Sequence, residues 1–458
     1  MLDMFTPIVP EEKQHPNFKS LLISINKPTR DRICRWTEGF IDRDGKIVKE
    51  FQTTFNSTFW ELYLHACFNE LGFTHNYVHD SPDFLISKND TTFSAEATIA
   101  SHPSGARPEW DKEFPTELSP DTKFQIIHLS TIRLANAIYT KFKKYKDNYQ
   151  NLEHVNKNPF ILCVAPFDQP FFFEQADIAI RRILYKFNAP LYIKDEKSGE
   201  IRIVGEEYVE KVIKHNNEEI DLGFFTDERM KEISAVIFSN TATITKVKAL
   251  DSEMYPETIF CATRYNSKSF DTPHYISGIG ANFKETLLDG LHLYINPFAE
   301  KQFDPDLFFS EEISLHTYDP IDQSPLEFVN NGALLAHFCM SFHKQGTFES
   351  VKLSNQASQY KEYEFKWEEG VLYSLSATVG LGVNNHIAHY RGWTVVVFED
   401  SQDGDWGGIA KRKIMHTLQD FLSLKDENDI MSHKFHQSNL EAFNSMKLKI
   451  DELFENHE

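Results

Sequence analysis

Long apolar runs are missing from this sequence. No stretch approaches the roughly eighteen consecutive apolar residues that a membrane-spanning helix needs. The opening "MLDMFTPIVPEEKQHP" has acids and prolines where a secretory leader needs a basic start and an apolar middle. A cytoplasmic protein with no membrane partner is the expectation. Cysteine is also scarce. Its five residues, Cys34, Cys67, Cys163, Cys261 and Cys339, include no C-x-x-C pair, which argues against a zinc ribbon and against a disulfide framework. Reduced, mostly buried thiols are expected. Positive charge is in short supply too: 47 Lys and Arg stand against 68 Asp and Glu, a formal net charge of -21. The average field repels phosphate, so any nucleic-acid site must be a local basic patch on an acidic body. No internal repeat, low-complexity tract or G-x-S-x-G elbow is present. "SGIGANF" and "TVGLGVNNH" lack the full phosphate-loop fingerprint and its lysine, and read as turns. His386 and His389 lie three apart without an evident third ligand, which is too little for a zinc site.

What is present is the composition of an ordinary globular protein, 41% hydrophobic and 25% charged. At 458 residues, two or three domains are expected. Residues 1–50 read as an irregular, Pro-bearing lead-in with one short helix around Thr29 to Gly39. Residues 51–255 read as an α/β domain and 256–458 as a less legible α+β region.

Within the middle region, "STFWELYLHACFNELGF" carries Phe59, Leu62, Tyr63, Ala66, Cys67 and Leu71 at helical spacing, with Gly72 where a C-terminal cap belongs. "FTHNYV" then reads as a strand, and "DFLIS" and "FSAEAT" as a hairpin. A Pro-, Ser- and Gly-rich loop, "SHPSGARPEWDKEFPTELSPD", has the length of a functional segment. "LSTIRLANAIYTKFKKYKDNY" has Ala135, Ile138, Phe142, Tyr145 and Tyr149 on one stripe and predicts a second long helix. "NPFILCVAPF" predicts a central buried strand. Further on, "EQADIAIRRILYKF" predicts a helix, "APLYIKDEKSGEIRIVG" a strand pair and "ISAVIFSNTATITKV" a β-rich segment. Beyond residue 256 the legible elements are a strand in "RGWTVVVFED", a helix in "GGIAKRKIMHTLQDFLSL" and an amphipathic helix in "NLEAFNSMKLKIDELFE".

Three carboxylates stand out against this core: Glu61 on the first helix, Asp83 at the start of one hairpin strand and Glu96 in the middle of the other. Side chains alternate along a strand, so Ser94, Glu96 and Thr98 share one face and Phe93, Ala95 and Ala97 the other. Adjacent strands bring Asp83 and Glu96 together at one edge, with Glu61 above them. Clustered carboxylates repel one another unless a cation neutralises them, and an all-oxygen site suits Mg²⁺ or Mn²⁺. Each acid also has a plainer explanation. Thr58-x-x-Glu61 fits a capping box, and Asp83 after Pro82 fits turn chemistry. Glu96, mid-strand among small and apolar residues, has none. His65, one turn after Glu61, reads as a packing residue.

These acids, in this order of helix, strands, helix and strand, resemble the PD-(D/E)XK nuclease superfamily, the fold of many restriction endonucleases and repair nucleases. The resemblance covers about residues 51–167: Glu61 on the helix, the "PD" of Pro82 and Asp83, and "EAT" at Glu96 to Thr98 in the place of E-x-K. It implies a restriction-endonuclease-like core with a mixed sheet flanked by helices. It also implies Mg²⁺- or Mn²⁺-dependent hydrolysis of phosphodiester bonds. By resemblance Asp83 and Glu96 are metal ligands, the Ala97 carbonyl is a further one, and Glu61 is an auxiliary ligand or holds a metal-bound water. Thr98 stands where the family has a lysine that positions or deprotonates the attacking water. Either that lysine has moved to Lys141 on the second helix, or the site is slow, altered or inactive.

The same helix supplies Arg133, Lys141, Lys143, Lys144 and Lys146, interleaved with Tyr139 and Tyr145, as a local basic patch able to grip phosphates and stack on bases. Read alone, the segment is also an ordinary solvated helix face. DNA is the expected substrate, with RNA inseparable from it by sequence. Bacterial restriction or anti-phage defence is the setting the resemblance implies, with a homodimer or a defence-system protein as partner. The alternative is a binding or regulatory protein that keeps the nuclease fold without its reaction.

Overall fold

The apolar run "FILCVAP", residues 160–166, is buried along its whole length, as a strand must be when helices cover both faces of its sheet. The computed structural model describes residues 1–100, 120–167, 172–194, 201–214, 216–268 and 273–341, and beyond them 373–379, 383–390, 393–399, 406–411, 430–431 and 443–450. Four helices come first: α1 (Pro16–Leu22), α2 (Lys27–Trp36), α3 (Ile47–Thr53) and α4 (Phe55–Glu70). Then follow β1 (Thr74–His75), β2 (Phe84–Lys88), β3 (Thr91–Ala100), α5 (Pro120–Asp147), α6 (Glu153–Asn156), β4 (Phe160–Pro166) and α7 (Ile178–Tyr185). Two small hairpins, β5 (Phe187–Lys194) with β6 (Ile201–Tyr208) and β7 (Lys211–Ile213) with β8 (Glu219–Asp221), precede β9 (Ala235–Phe238) and α8 (Ile244–Leu250). Next are β10 (Thr258–Arg264), β11 (His274–Ile279), β12 (Leu291–Ile295), β13 (Ile313–Asp319), β14 (Ser324–Phe328) and β15 (Leu334–Ser341). A separate five-stranded antiparallel sheet comprises β16 (Tyr373–Val379), β17 (Val383–Tyr390), β18 (Trp393–Glu399), β19 (Trp406–Lys411) and β20 (Ile430–Met431).

The chain is mixed α/β, built on an eight-stranded mixed sheet in the order β1-β2-β3-β4-β9-β12-β13-β14 with helices on both faces. The β3–β4, β4–β9 and β12–β13 pairs are parallel, and the remaining pairs antiparallel. Strand alternation divides the core in two. Phe93, Ala95, Ile161, Cys163 and Ala165 point to the side covered by α1 to α4 and α8. Phe160, Leu162 and Val164 point to the side covered by α5 and α7, where Ala135, Ile138, Phe142, Tyr145 and Tyr149 form the expected stripe. A smaller sheet, β11-β10-β15, stands beside α8. Among the described residues no helix is long and apolar enough to cross a membrane.

Several expectations change. Residues 1–50 hold three helices in place of an irregular lead-in, and Met4, Phe18, Leu21, Ile33, Trp36 and Ile47 are buried in the first core. Their apolar positions are spaced over short helices with little periodic signal. The boundary expected at residue 255 falls inside one sheet, because β12 pairs with β9. Helix α4 begins at Phe55 and runs past Glu61, so Thr58 and Glu61 lie inside the helix and do not form a capping box. Only Thr74 and His75 of "FTHNYV" pair as a strand. The segment "ISAVIFSNTATITKV" splits into β9 and α8: Ile244 and Val247 repeat at helical spacing and are buried, and tertiary packing overrides their β-branched preference. The "GGIAK" of the expected helix after residue 406 lies in β19, whose ladder with β18 takes its backbone. The loop at 101–119 lies outside the described residues.

Candidate active site

Glu96 sits in β3 with its side chain on the α5 side of the sheet, sharing that face with the buried Ser94. It is 1% exposed, and a carboxylate so far from water must be compensated. Helix α5 supplies the compensation. Lys141 and Lys144, three residues apart and hence on one helix face, each donate to Oε1 at 2.7 Å. Tyr149, just past the helix end, donates to Oε2 at 3.0 Å. The Lys144 ammonium also lies 4.9 Å from the centre of the Tyr149 ring. Burial pushes the Glu96 carboxyl up, but the two lysines outweigh it and hold Glu96 below the usual carboxylate range.

Asp83 reaches the same point through register. Phe84 pairs with Ala95 in the antiparallel β2–β3 ladder, so the preceding residue, Asp83, stands opposite Glu96. Its Oδ2 accepts the Ala97 N–H at 2.7 Å. Burial, then the charge of Glu96, pushes Asp83 up to about 6 against the opposing pull of Lys141. The turn before it is gripped from the N-terminal region. Arg43 donates to the carbonyls of Pro82 at 3.2 Å and Asp83 at 2.9 Å, and also to that of His79.

Glu61 approaches from α4. Burial, then the charge of Asp83, pushes it up to about 8, with Arg43 the chief opposing charge. The three acids are thus one electrostatic unit: two lifted by burial and mutual repulsion, the third held down by two ammonium groups. A divalent cation is the species that would relieve the first two. The oxygens such an ion could use would be those of Asp83, Glu96, Glu61 and the Ala97 carbonyl, but among the described residues the three carboxylates do not bring one oxygen each within 4.8 Å of one another. Thr98 faces the α5 side with Glu96 by alternation and carries no basic group; the ammonium groups at the acids come from Lys141 and Lys144.

The five α5 residues expected as a basic patch do not form one continuous face. Lys141 and Lys144 face Glu96, and Lys146 pairs with Glu232 at 3.0 Å. Lys143 is exposed beside the half-exposed ring of Tyr139, 5.0 Å from its centre, and Arg133 is half-buried. Tyr145 is buried against Phe160 and offers no surface for stacking on a base. His65 is a packing residue: it is fully buried, its Nδ1 lies 2.8 Å from the Trp36 carbonyl, and its ring meets Phe40 and His75. All five cysteines are free thiols, and Cys67, Cys163 and Cys261 are buried.

Sequence reading did not find Arg43 or Tyr149 as partners of the acids, and it took Lys144 as a phosphate contact only. The i,i+3 spacing of Lys141 and Lys144 was the available signal for Lys144. Nothing in the sequence pointed to Arg43, which acts across a turn from a segment read as irregular. A second cluster, Asp177, His292 and His316, also escaped notice, because its members come from a helix terminus and two strands far apart in the chain.

No family model, no curated protein and no solved structure matches the chain.

Proposed function

We propose that this protein is a Mg²⁺- or Mn²⁺-dependent endonuclease with a restriction-endonuclease-like core, hydrolysing DNA phosphodiester bonds at Glu61, Asp83 and Glu96. The observation that carries this reading is the meeting of Asp83, Glu96 and Lys141: two acids opposed across one strand pair, with the Lys141 ammonium 2.7 Å from Glu96. When bound, the metal supplies a Lewis acid that lowers the pKa of water and offsets charge developing on the phosphate oxygens. Lys141 takes the part that the E-x-K lysine plays in the superfamily, orienting the attacking water from helix α5. Tyr149 fixes the second oxygen of Glu96 and keeps the carboxylate in one orientation. Lys143, exposed beside Tyr139, offers a phosphate contact at the outer face of the helix. Restriction or defence against phage is the setting we propose with this activity.

One observation favours a second reading, a nuclease-fold protein that binds or regulates without cutting. Both Glu96 oxygens already accept hydrogen bonds, from two lysines and a tyrosine, as in a structural ion-pair network. The experiment is incubation of purified protein with supercoiled plasmid in Mg²⁺ or Mn²⁺, with EDTA and the Asp83→Ala and Glu96→Ala variants in parallel, and a single-stranded RNA as the second substrate. Metal-dependent nicking of plasmid lost in both variants supports the endonuclease. Cleavage of RNA alone reassigns the substrate, and no cleavage with no effect of metal on the melting temperature supports the second reading.

A further inference from the structure

Away from the acid cluster, three strands from Glu96 across the sheet, the α7 side buries a group of side chains that the proposed reaction does not use. Asp177 stands at the N-terminus of α7, His292 lies in the parallel strand β12, and His316 lies beside it in β13. One donor atom from each falls within 4.8 Å of the others, and the three residues are 8%, 2% and 1% exposed. The register pairs His292 with Ser314 and Tyr294 with His316, so the two imidazoles are diagonal neighbours on one face. Their facing nitrogens, His292 Nδ1 and His316 Nε2, are 3.0 Å apart. Two nitrogens bound to zinc in a tetrahedron would lie about 3.3 Å apart.

The surroundings have the build of an outer ligand sphere. Tyr294 donates to Asp177 Oδ2 at 3.1 Å, and Arg181 approaches the same oxygen at 3.3 Å. Behind His316, its Nδ1 lacks a hydrogen-bond partner of ordinary geometry and faces Glu327 Oε1 at 3.4 Å. A histidine that binds a metal through one nitrogen commonly directs the other N–H at a carboxylate in this way. The charges also leave room for a cation: the single positive charge of Arg181 faces two carboxylates, Asp177 and Glu327.

We propose that Asp177, His292 and His316 form a buried binding site for a divalent transition metal of the zinc class, distinct from the Mg²⁺-type acid cluster. Two imidazoles and one carboxylate select Zn²⁺, Co²⁺ or Fe²⁺ over Mg²⁺, because nitrogen donors suit those softer ions. Near-complete burial shields it from solvent, and the three side chains leave one position of a tetrahedron for a further donor. It ties the N-terminus of α7 to β12 and β13, joining segments separated by 117 residues between Asp177 and Tyr294. The proposal is independent of the nuclease reading.

The test uses the full chain carrying Asp83→Ala, so that the acid cluster does not contribute, alongside the same chain with His316→Asn or His292→Gln added. Each protein is freed of metal with a chelator, checked for folding by circular dichroism, and titrated with Zn²⁺ and with Co²⁺. The expected result is about one equivalent bound per chain, with a visible Co²⁺ absorption band and a melting temperature raised by several degrees. Both signals should be lost in the histidine variants, whose folding without metal should match that of the parent. A folded parent that shows neither the Co²⁺ band nor a Zn²⁺-dependent rise overturns the proposal and leaves the two histidines as a hydrogen-bonded core pair. Equal binding by the histidine variants overturns it as well.

Discussion

Lys141 places its ammonium 2.7 Å from Oε1 of Glu96, across 45 residues of sequence and from a helix onto the strand it covers. The strand position expected to hold a lysine holds Thr98, and the ammonium arrives from the neighbouring layer. Lys144 reaches the same oxygen but is more exposed, 43% against 22% for the Lys141 side chain.

The two lysines should therefore separate in function. On the proposed nuclease reading, Lys141→Ala is expected to lower metal-dependent plasmid nicking by about 100-fold or more, the scale of losing a group that positions or activates water. Lys144→Ala should cost several-fold less. The check is the initial nicking rate of each variant at saturating Mn²⁺, with equal melting temperatures as the control for folding.

The crowded acids give the metal-free protein a distinctive pH dependence. Glu61 binds its proton more tightly in the folded state, near 8, than the usual 4.5 of the unfolded chain, and Asp83 is raised from 3.8 to about 6. Between the unfolded and folded values the native state holds more protons than the unfolded one, so stability falls as pH rises through that window. In EDTA, the urea midpoint is expected to decline from pH 5 to 8, and Glu61→Gln should flatten the decline and raise the midpoint at pH 8. A midpoint that rises with pH over this range in the parent would contradict the crowding.

A second ion pair lies fully buried elsewhere in the core. Lys246 Nζ lies 2.7 Å from Glu285 Oε2, both side chains fully buried, and His337 Nδ1 lies 2.8 Å from Glu285 Oε1. Lys246 also donates to the carbonyls of Thr286 and Asp289. Lys246→Met is expected to cost about 3 kcal/mol in urea unfolding, because it leaves a buried carboxylate with His337 as its remaining charged partner. The double variant Lys246→Met with Glu285→Leu should recover a good part of that loss.

The same carboxylate has the opposite pH signature to the acid cluster. Despite burial, His337 and Lys246 hold Glu285 down at about 2. Its stabilisation is complete above the unfolded value near 4.5 and is lost as pH falls from there toward 2. Glu285→Gln should therefore destabilise at pH 7 and narrow its gap to the parent as the pH drops, read from urea midpoints at pH 3 and 7.

Gly290, immediately before β12, has φ +85°, and an added Cβ would collide with the Thr241 side chain. Gly290→Ala is expected to destabilise by more than about 1 kcal/mol, from the left-handed backbone and the collision together. Thermal unfolding of the variant checks it.

The sequence by itself determined the local elements whose signal is periodic and apolar. Helix α4, the buried strand β4, the hairpin β2–β3 and the stripe of α5 were legible because side-chain spacing of 3.6 or 2 residues is written directly in the order of residues. The alternation that puts Glu96 on one face and Ala95 on the other follows from the same rule. It also singled out Glu61, Asp83 and Glu96 as acids out of place in a core. Only the tertiary structure decided what compensates them. Register set Asp83 opposite Glu96, helix packing brought Lys141, Lys144 and Tyr149 to the same carboxylate, and Arg43 was delivered by a segment with little periodicity. It likewise decided that β9 and β12 share one sheet, and that Asp177, His292 and His316 meet. Pairings between distant segments depend on which surfaces fit in three dimensions, and the spacing of residues along one chain does not encode that fit.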